Sequence, residues 1–247
     1  LEERAPIDLY FDAMNELLQL EELQKSQAGV EARDAAREQT LAILLELNGA
    51  QKAHVVQFLY EAGLITEGPG VLFLSGADLT EAHLEGSSLI EAHLAGTNMR
   101  RSYLDAAHLE WARLGEAHLE DASLKRTFLV AAHLAGAYLQ QADLENAHLL
   151  GANLSGADLT ETNLTGAHLQ WASLLTANLT GACLVNAHLV GAELQWANLA
   201  DADLSRANLE EAHLSWARLR GARYDVRTRW PEGFDPIGAG AVETDEK

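Results

Sequence analysis

Leucine returns every fifth residue through more than half of this chain. From residue 79 to residue 219, in steps of five, there are 29 positions, and 28 of them are Leu, with Met99 the exception. Two residues before each of these centres and before Tyr224, from Ala77 to Ala222, Ala fills 25 of 30 positions. Ser87, Thr97, Ser102, Thr127 and Thr162 fill the rest, and all are small. An α-helix turns about 100° per residue, so every fifth residue drifts about 140° and no apolar stripe forms. A straight strand alternates faces with period two, so an odd repeat throws Leu to opposite sides. The pattern fits a chain that turns a corner every five residues. On each short extended side the small residue and the Leu then point inward, the residue between them points outward, and the other two make the corner. Successive coils pair at the ordinary strand separation of about 4.8 Å.

The motif Ala-(Asp/Asn)-Leu-x-x is clean in the stretch from Gly151 through Ala152, Asn153, Leu154 to Ala157, Asp158, Leu159 and Thr160. It resembles the repeat of the pentapeptide-repeat family, over roughly residues 71–224. The resemblance implies a β solenoid, a right-handed quadrilateral β-helix in which four units make one square coil of twenty residues. The residues alone leave that number open, because histidine spacings of 15 and 25 are as common as 20. Four units per coil give about 7.7 coils and a rod about 37 Å long. Leu79, Leu84, Leu89, Leu94, Leu154 and Leu159 belong to its inner ladder, each contributing roughly 1.5–3 kcal/mol on burial. One departure from the motif recurs. His stands where Asp or Asn is usual at His83, His93, His108, His118, His133, His148, His168, His188 and His213. Those side chains lie outside, so the core is untouched.

A solenoid needs covers on its open ends. Residues 1–70 read as an α-helical N-terminal segment that caps the repeat of residues 71–224. Ile7, Tyr10, Phe11, Met14, Leu17 and Leu18 have helical spacing, with Pro6 at the first turn. A second helix is expected from about Glu31 to Leu47, stopping at Asn48-Gly49, and a third from about Gln51 to Ala62, stopping at Gly63. Phe58 and Leu59 of the third helix are the expected N-terminal cover, and Gly68-Pro69-Gly70 leads into the repeat. Residues 225–247 read as a C-terminal cap, with Trp230 and Phe234 as its lid and a loose tail from Gly238. Two covered ends imply a monomer. The helical stretch from Gln39 to Ile65 resembles one that precedes the repeats in some family members, many of them cyanobacterial. There a membrane-spanning region often comes first. The resemblance implies either a membrane anchor ahead of Leu1 or a cytoplasmic protein.

Chemistry is sparse. The expected interior is Leu and Ala, with no carboxylate, imidazole or thiol to be tuned. There is no phosphate loop, dinucleotide fingerprint, HExxH or CxxC. A convex rod offers little of the concave pocket that catalysis uses. The reading is a non-catalytic structural or protein-interaction scaffold with no cofactor and no metal. Cys183 is the one cysteine, so no internal disulfide forms. The net charge of −20 disfavours nucleic acid as a direct partner. Some family members protect DNA gyrase by resembling acidic duplex DNA, which makes an acidic DNA mimic the alternative. Residues 71–224 hold 18 acidic and 9 basic residues, a net of −9. Duplex DNA of that length carries about 22 charges.

With twenty-residue coils, one outer face differs from the others. Its first column runs Ser88, His108, Phe128, His148, His168, His188, Asn208. The next runs Ile90, Glu110, Val130, Leu150, Gln170, Val190, Glu210, and the third holds Trp111, Gly151, Trp171 and Gly191. Between residues 128 and 191 these columns carry no formal charge. Two readings are open. Phe128, Val130, His148, Leu150, His168, Trp171, His188 and Val190 form a docking surface for an unidentified protein, or they pack sideways as an ordinary β-helix wall. The histidines should stack about 4.8 Å apart, a parallel ladder that does not converge on a metal. Trp196 and Trp216 should stack on the neighbouring edge.

Overall fold

The structure is a computed structural model that describes residues 5–19, 29–66 and 72–244. The expected entry through Gly68-Pro69-Gly70 lies outside those residues, as do Leu1 and the last three positions. Parallel single-residue bridges join residues twenty apart, from Asp78 with Asn98 through Asp203 with Arg223. That register settles four units per coil. The chain is a right-handed quadrilateral β-helix with an α-helical segment at its N-terminus.

The corner explains the period. In every unit from residue 76 to residue 221 the second residue after the Leu is left-handed, with φ between 54° and 82°. The next residue, usually Ala, donates its N–H back to the Leu carbonyl, as in Ala82 to Leu79 at 3.0 Å. A positive φ at the third turn position alone defines a type II turn. Only ten of these thirty corners are Gly; the others include Glu, Arg and Trp. A non-glycine residue pays about 1–2 kcal/mol for that conformation. The Leu it turns inward contributes about 1.5–3 kcal/mol, so burial carries the corner.

Five residues have five N–H groups, and the repeat satisfies four through backbone. One closes the turn, and three reach neighbouring coils, as in Leu79 to Asn98 (2.7 Å), Glu81 to Arg100 (3.0 Å) and Asn98 to Ala77 (2.9 Å). The fifth, just after the Leu, is taken by a side chain. The oxygen of an Asp or Asn just before the Leu accepts it, as at Thr80 to Asp78, Ser155 to Asn153 and Thr180 to Asn178, at 3.0–3.3 Å. This is the physical reason for an acid or amide in the motif. Among the described residues, His148, His168 and His188 do not make that bond.

The interior is one continuous core from Tyr10 to Ala241. Leu79, Leu84, Leu89, Leu94, Leu154 and Leu159 are all at most 1% exposed. Four of the small hydroxyls that replace Ala return to Leu carbonyls, as Thr127 does to Leu104 and Thr162 to Leu139, whereas the buried Ser102 hydroxyl has no such partner.

The N-terminal segment holds three helices, α1 (Pro6–Gln19), α2 (Gly29–Glu46) and α3 (Gly49–Glu61). The Asn48-Gly49 pair does more than end α2. Asn48 is the N-cap of α3, accepting from Gln51 N–H at 3.0 Å while the Gln51 side chain accepts from Asn48 N–H at 3.2 Å. At the other end Gly63 is left-handed, Leu64 N–H reaches Leu59, and Gly63 N–H reaches Tyr60, a Schellman close. α3 covers the first coil. Leu59 is fully buried, and Phe58 is partly buried against Phe11 of α1, ring centres 5.1 Å apart. Edge groups of the coil find partners in the helices. His83 N–H donates to Gly49, Lys52 bridges Asp78 and the Thr80 carbonyl, and Arg37 donates to the carbonyls of Phe73 and Ser75.

At the far end Trp230 meets Tyr224 edge-on and lies against Phe234, with ring centres 5.4 and 5.2 Å apart. The expectation of a loose tail from Gly238 needs correcting over its described part. Arg223–Tyr224 (β1) pairs in parallel with Val242–Glu243 (β2). Val242 N–H reaches Ala222 at 2.7 Å, Thr244 N–H reaches Tyr224 at 2.8 Å, and Ala241 is buried. The last coil's free edge demands hydrogen-bond partners, and the tail supplies them.

Candidate functional site

The outer face that begins at Ser88 is built by the register just described. Each coil places one outward side chain directly above its counterpart twenty residues earlier. Planar rings then stack without further adjustment. His108 and Phe128 lie 4.5 Å apart, Phe128 and His148 4.9 Å, His148 and His168 5.0 Å, and His168 and His188 4.8 Å. Their planes agree within 7°. The stack is therefore one ring longer than the candidate set, because His108 joins it through Phe128. A signal for that was present in the twenty-residue column, where an aromatic ring sits between two imidazoles.

Beside the rings, Leu150 is 45% exposed, and Val130 and Val190 are half-buried. Trp171 is 60% exposed at the corner, where its indole lies over Gly191 of the next coil. A side chain at residue 191 would overlap the ring, so Gly191 is the seat that lets Trp171 lie flat. All eight candidate residues thus share one wall and its edge. Carboxylates close the wall at both ends. Glu110 pairs with His108 at 3.1 Å, and Glu210 accepts from Asn208 at 3.2 Å and meets Arg229 at 3.7 Å.

The stack repels protons at its centre. His168 is held below the ordinary imidazole range, first by partial burial and then by His188 and His148 on either side. Among the described residues no cluster of His, Cys, Asp or Glu is arranged to hold a metal. Parallel rings aim their nitrogens side by side, so they do not close a coordination sphere. The Trp196 and Trp216 rings stack at 5.3 Å on the next edge. Cys183 meets Thr165 Oγ1 at 3.2 Å.

The rod does have concavities, at its ends. One open cleft of about 470 Å³ lies beside Phe73, His93 and Arg113. Another of about 620 Å³ lies between His213, Trp216, Pro231 and Phe234. Among the described residues no helix is long and apolar enough to cross a membrane.

Several solved structures are similar to parts of this chain. A pentapeptide repeat protein from the cyanobacterium Cyanothece is 38% identical over 38% of this chain and 63% of its own, with a TM-score of 0.38. This chain thus spans less than two thirds of that protein. HetL, a pentapeptide repeat protein involved in heterocyst differentiation regulation in the cyanobacterium Nostoc, is 32% identical over 58% of this chain and 79% of its own, with a TM-score of 0.33. QnrB1, a plasmid-mediated fluoroquinolone resistance protein, is 19% identical over 69% of this chain and 79% of its own, with a TM-score of 0.34. No curated protein matches the chain. The family profile described as pentapeptide repeats matches in overlapping segments, residues 74–105, 102–141, 112–151, 129–166, 152–189 and 187–223. Together they cover the whole solenoid and more than half of the chain, which belongs to the pentapeptide-repeat family.

Proposed function

We propose that this chain is a non-catalytic scaffold that docks a protein partner on the wall running from Phe128 to Gly191. One observation carries the reading: a chain of net charge −20 keeps that wall free of formal charge and lines it with rings and aliphatic side chains, of which Leu150, Trp171 and His188 are exposed and the others half-buried. Uncharged, aromatic-rich patches with a polar rim are what protein interfaces use. The wall is also flat and held by bridges on every coil, so a partner would bind without ordering it first. Capped at both ends, the rod is proposed to act as a monomer. A tether to a membrane through a segment ahead of Leu1 belongs to the same proposal, and fractionation of the full-length gene product tests it.

The test is affinity capture from the native host, with the full chain and three variants as bait. Leu150→Asp and Trp171→Ala should each weaken one captured protein about tenfold or more, the cost of losing a central anchor. Asp201→Ala, outside the wall, should leave it bound. Equal capture by all four baits would sink the proposal.

An acidic mimic of duplex DNA is the competing reading; the acidic sign of the solenoid favours it, but a net of −9 over residues 71–224 is well short of the about 22 charges of duplex DNA of that length. Its stripe of negative charge is broken by ion pairs between coils, among them Arg100 with Glu120 at 2.7 Å and Arg223 with Asp203 at 2.9 Å. A gyrase supercoiling assay that responds to this chain would favour the mimic.

A further inference from the structure

Three imidazoles, His148, His168 and His188, sit face to face at 5.0 and 4.8 Å in the middle of the uncharged wall. We propose that this ladder makes the wall proton-operated: apolar and able to dock above the imidazole range, charged and unable to dock below it. The proposal rests on the docking reading for its consequence, but the proton response itself is a property of the chain alone.

The geometry gives a charge on the central ring, His168, little support from neighbouring side chains. Neighbouring coils bridge at these very residues, which fixes the backbone spacing beneath the rings. Phe128 closes one end of the trio and Asn208 the other. On the outer side lie Leu150, Gln170 and Val190, none of which can accept a charge. The carboxylates Glu110 and Glu210 at the two ends of the wall have partners of their own. At one end Glu110 is paired with His108, and at the other Glu210 meets Asn208 and Arg229. At the corner that leads into the wall, Lys125 holds Asp143 at 2.9 Å and also feels Glu145, with Arg126 beside it. No carboxylate is among the groups acting on His168; burial and the two flanking imidazoles are. A proton on His168 therefore lacks an adjacent counter-charge and is repelled by a proton on either neighbouring ring.

The sign for stability follows. The folded chain refuses a proton at His168 that the unfolded chain accepts. Stability is intact above the ordinary imidazole value of 6.5 and falls as pH drops through it.

The full chain, labelled with ¹⁵N at histidine, is titrated by NMR alongside His148→Asn/His188→Asn. His168 should titrate below 6.5 in the wild type, and its midpoint should rise in the double variant. A wild-type midpoint at or above the ordinary value, or one unmoved by the double substitution, overturns the proposal. The second readout is retention on a phenyl column at fixed salt, at about pH 7.5 and about pH 5.5. The wild type should lose retention at the lower pH, and His148→Asn/His168→Asn/His188→Asn should lose clearly less. Equal losses would also overturn it. Failure of the capture experiment removes the docking partner, whereas the titration and the column decide the proton response independently of any partner.

Discussion

At the scale of single residues, the repeat is an exercise in satisfying backbone. Four N–H groups per unit are met by carbonyls, and the fifth waits for a side chain. Asp or Asn before the Leu supplies it at Asp78, Asn153, Asp158 and Asn178. Histidine gives up that bond and offers a ring instead, which stacks only where the next coil also presents a ring. His133 has Arg113 and Asn153 as its column neighbours, so it has no ring partner there. His133→Asn should therefore gain the missing bond to Ala135 N–H and stabilise the protein by about 0.5–1.5 kcal/mol. Thermal unfolding would show it as a higher Tm; a lower one would remove this account of the motif.

At the scale of elements, the junction between helices and solenoid is the most exacting contact. Gly49 opens α3 where its backbone touches the first coil, and a Cβ there would overlap the Glu81 carbonyl oxygen and the His83 ring. Because a backbone oxygen cannot swing aside, Gly49→Ala should cost about 1–3 kcal/mol. Gly63→Ala makes only an ordinary contact, with Thr66 Oγ1 at 3.9 Å, and carries just the left-handed penalty, about 1 kcal/mol or somewhat more. Urea unfolding of the two variants checks the order, and a Gly63 variant that is the weaker of the two would contradict it. Inside the cap, Tyr10 hydrogen-bonds Thr40 at 2.9 Å, and burial pushes its hydroxyl up to about 12 while that bond pulls the other way. α1 is thus tied to α2 by a buried polar contact as well as by apolar packing.

At the scale of the whole molecule, the rod is nearly indifferent to its own length. Each unit repeats the same turn and the same buried Leu, so stability is close to additive along the axis. Faces are another matter, because they depend on counting by twenty. Deleting residues 155–159 removes one unit and one side of the square. The core should re-form and the far-ultraviolet signature of the solenoid should survive, with a loss of a few kcal/mol of about one unit's burial. The ladder should break, since His148 would then face a different wall from His168. Deleting residues 149–168 removes a full coil and should leave His148 stacking on His188. Capture by the docking wall should follow the stack: weakened by the five-residue deletion and largely kept by the twenty-residue one. Unfolding of the five-residue variant would show that the units are not interchangeable.

Residue types alone decided the inside of this protein. A small residue and a Leu two apart, repeated every five, can be buried together only by a chain that turns at each repeat, because helix and strand both scatter that pattern. The helices were legible for the same reason, from apolar spacing and from Asn48 and Gly63 at their ends. The outside was not legible to the same degree. Side chains that point to solvent are free of packing constraints, so their spacing did not reveal how many units close a coil. Only the bridges between residues twenty apart decided that, and with it which histidines meet, that His108 joins them through Phe128, and that Trp171 rests on Gly191. The tail was decided by tertiary structure too. Its short, small and polar sequence carries no strand signal, and Val242–Thr244 pair with the last coil because that coil leaves an edge whose hydrogen bonds must be met.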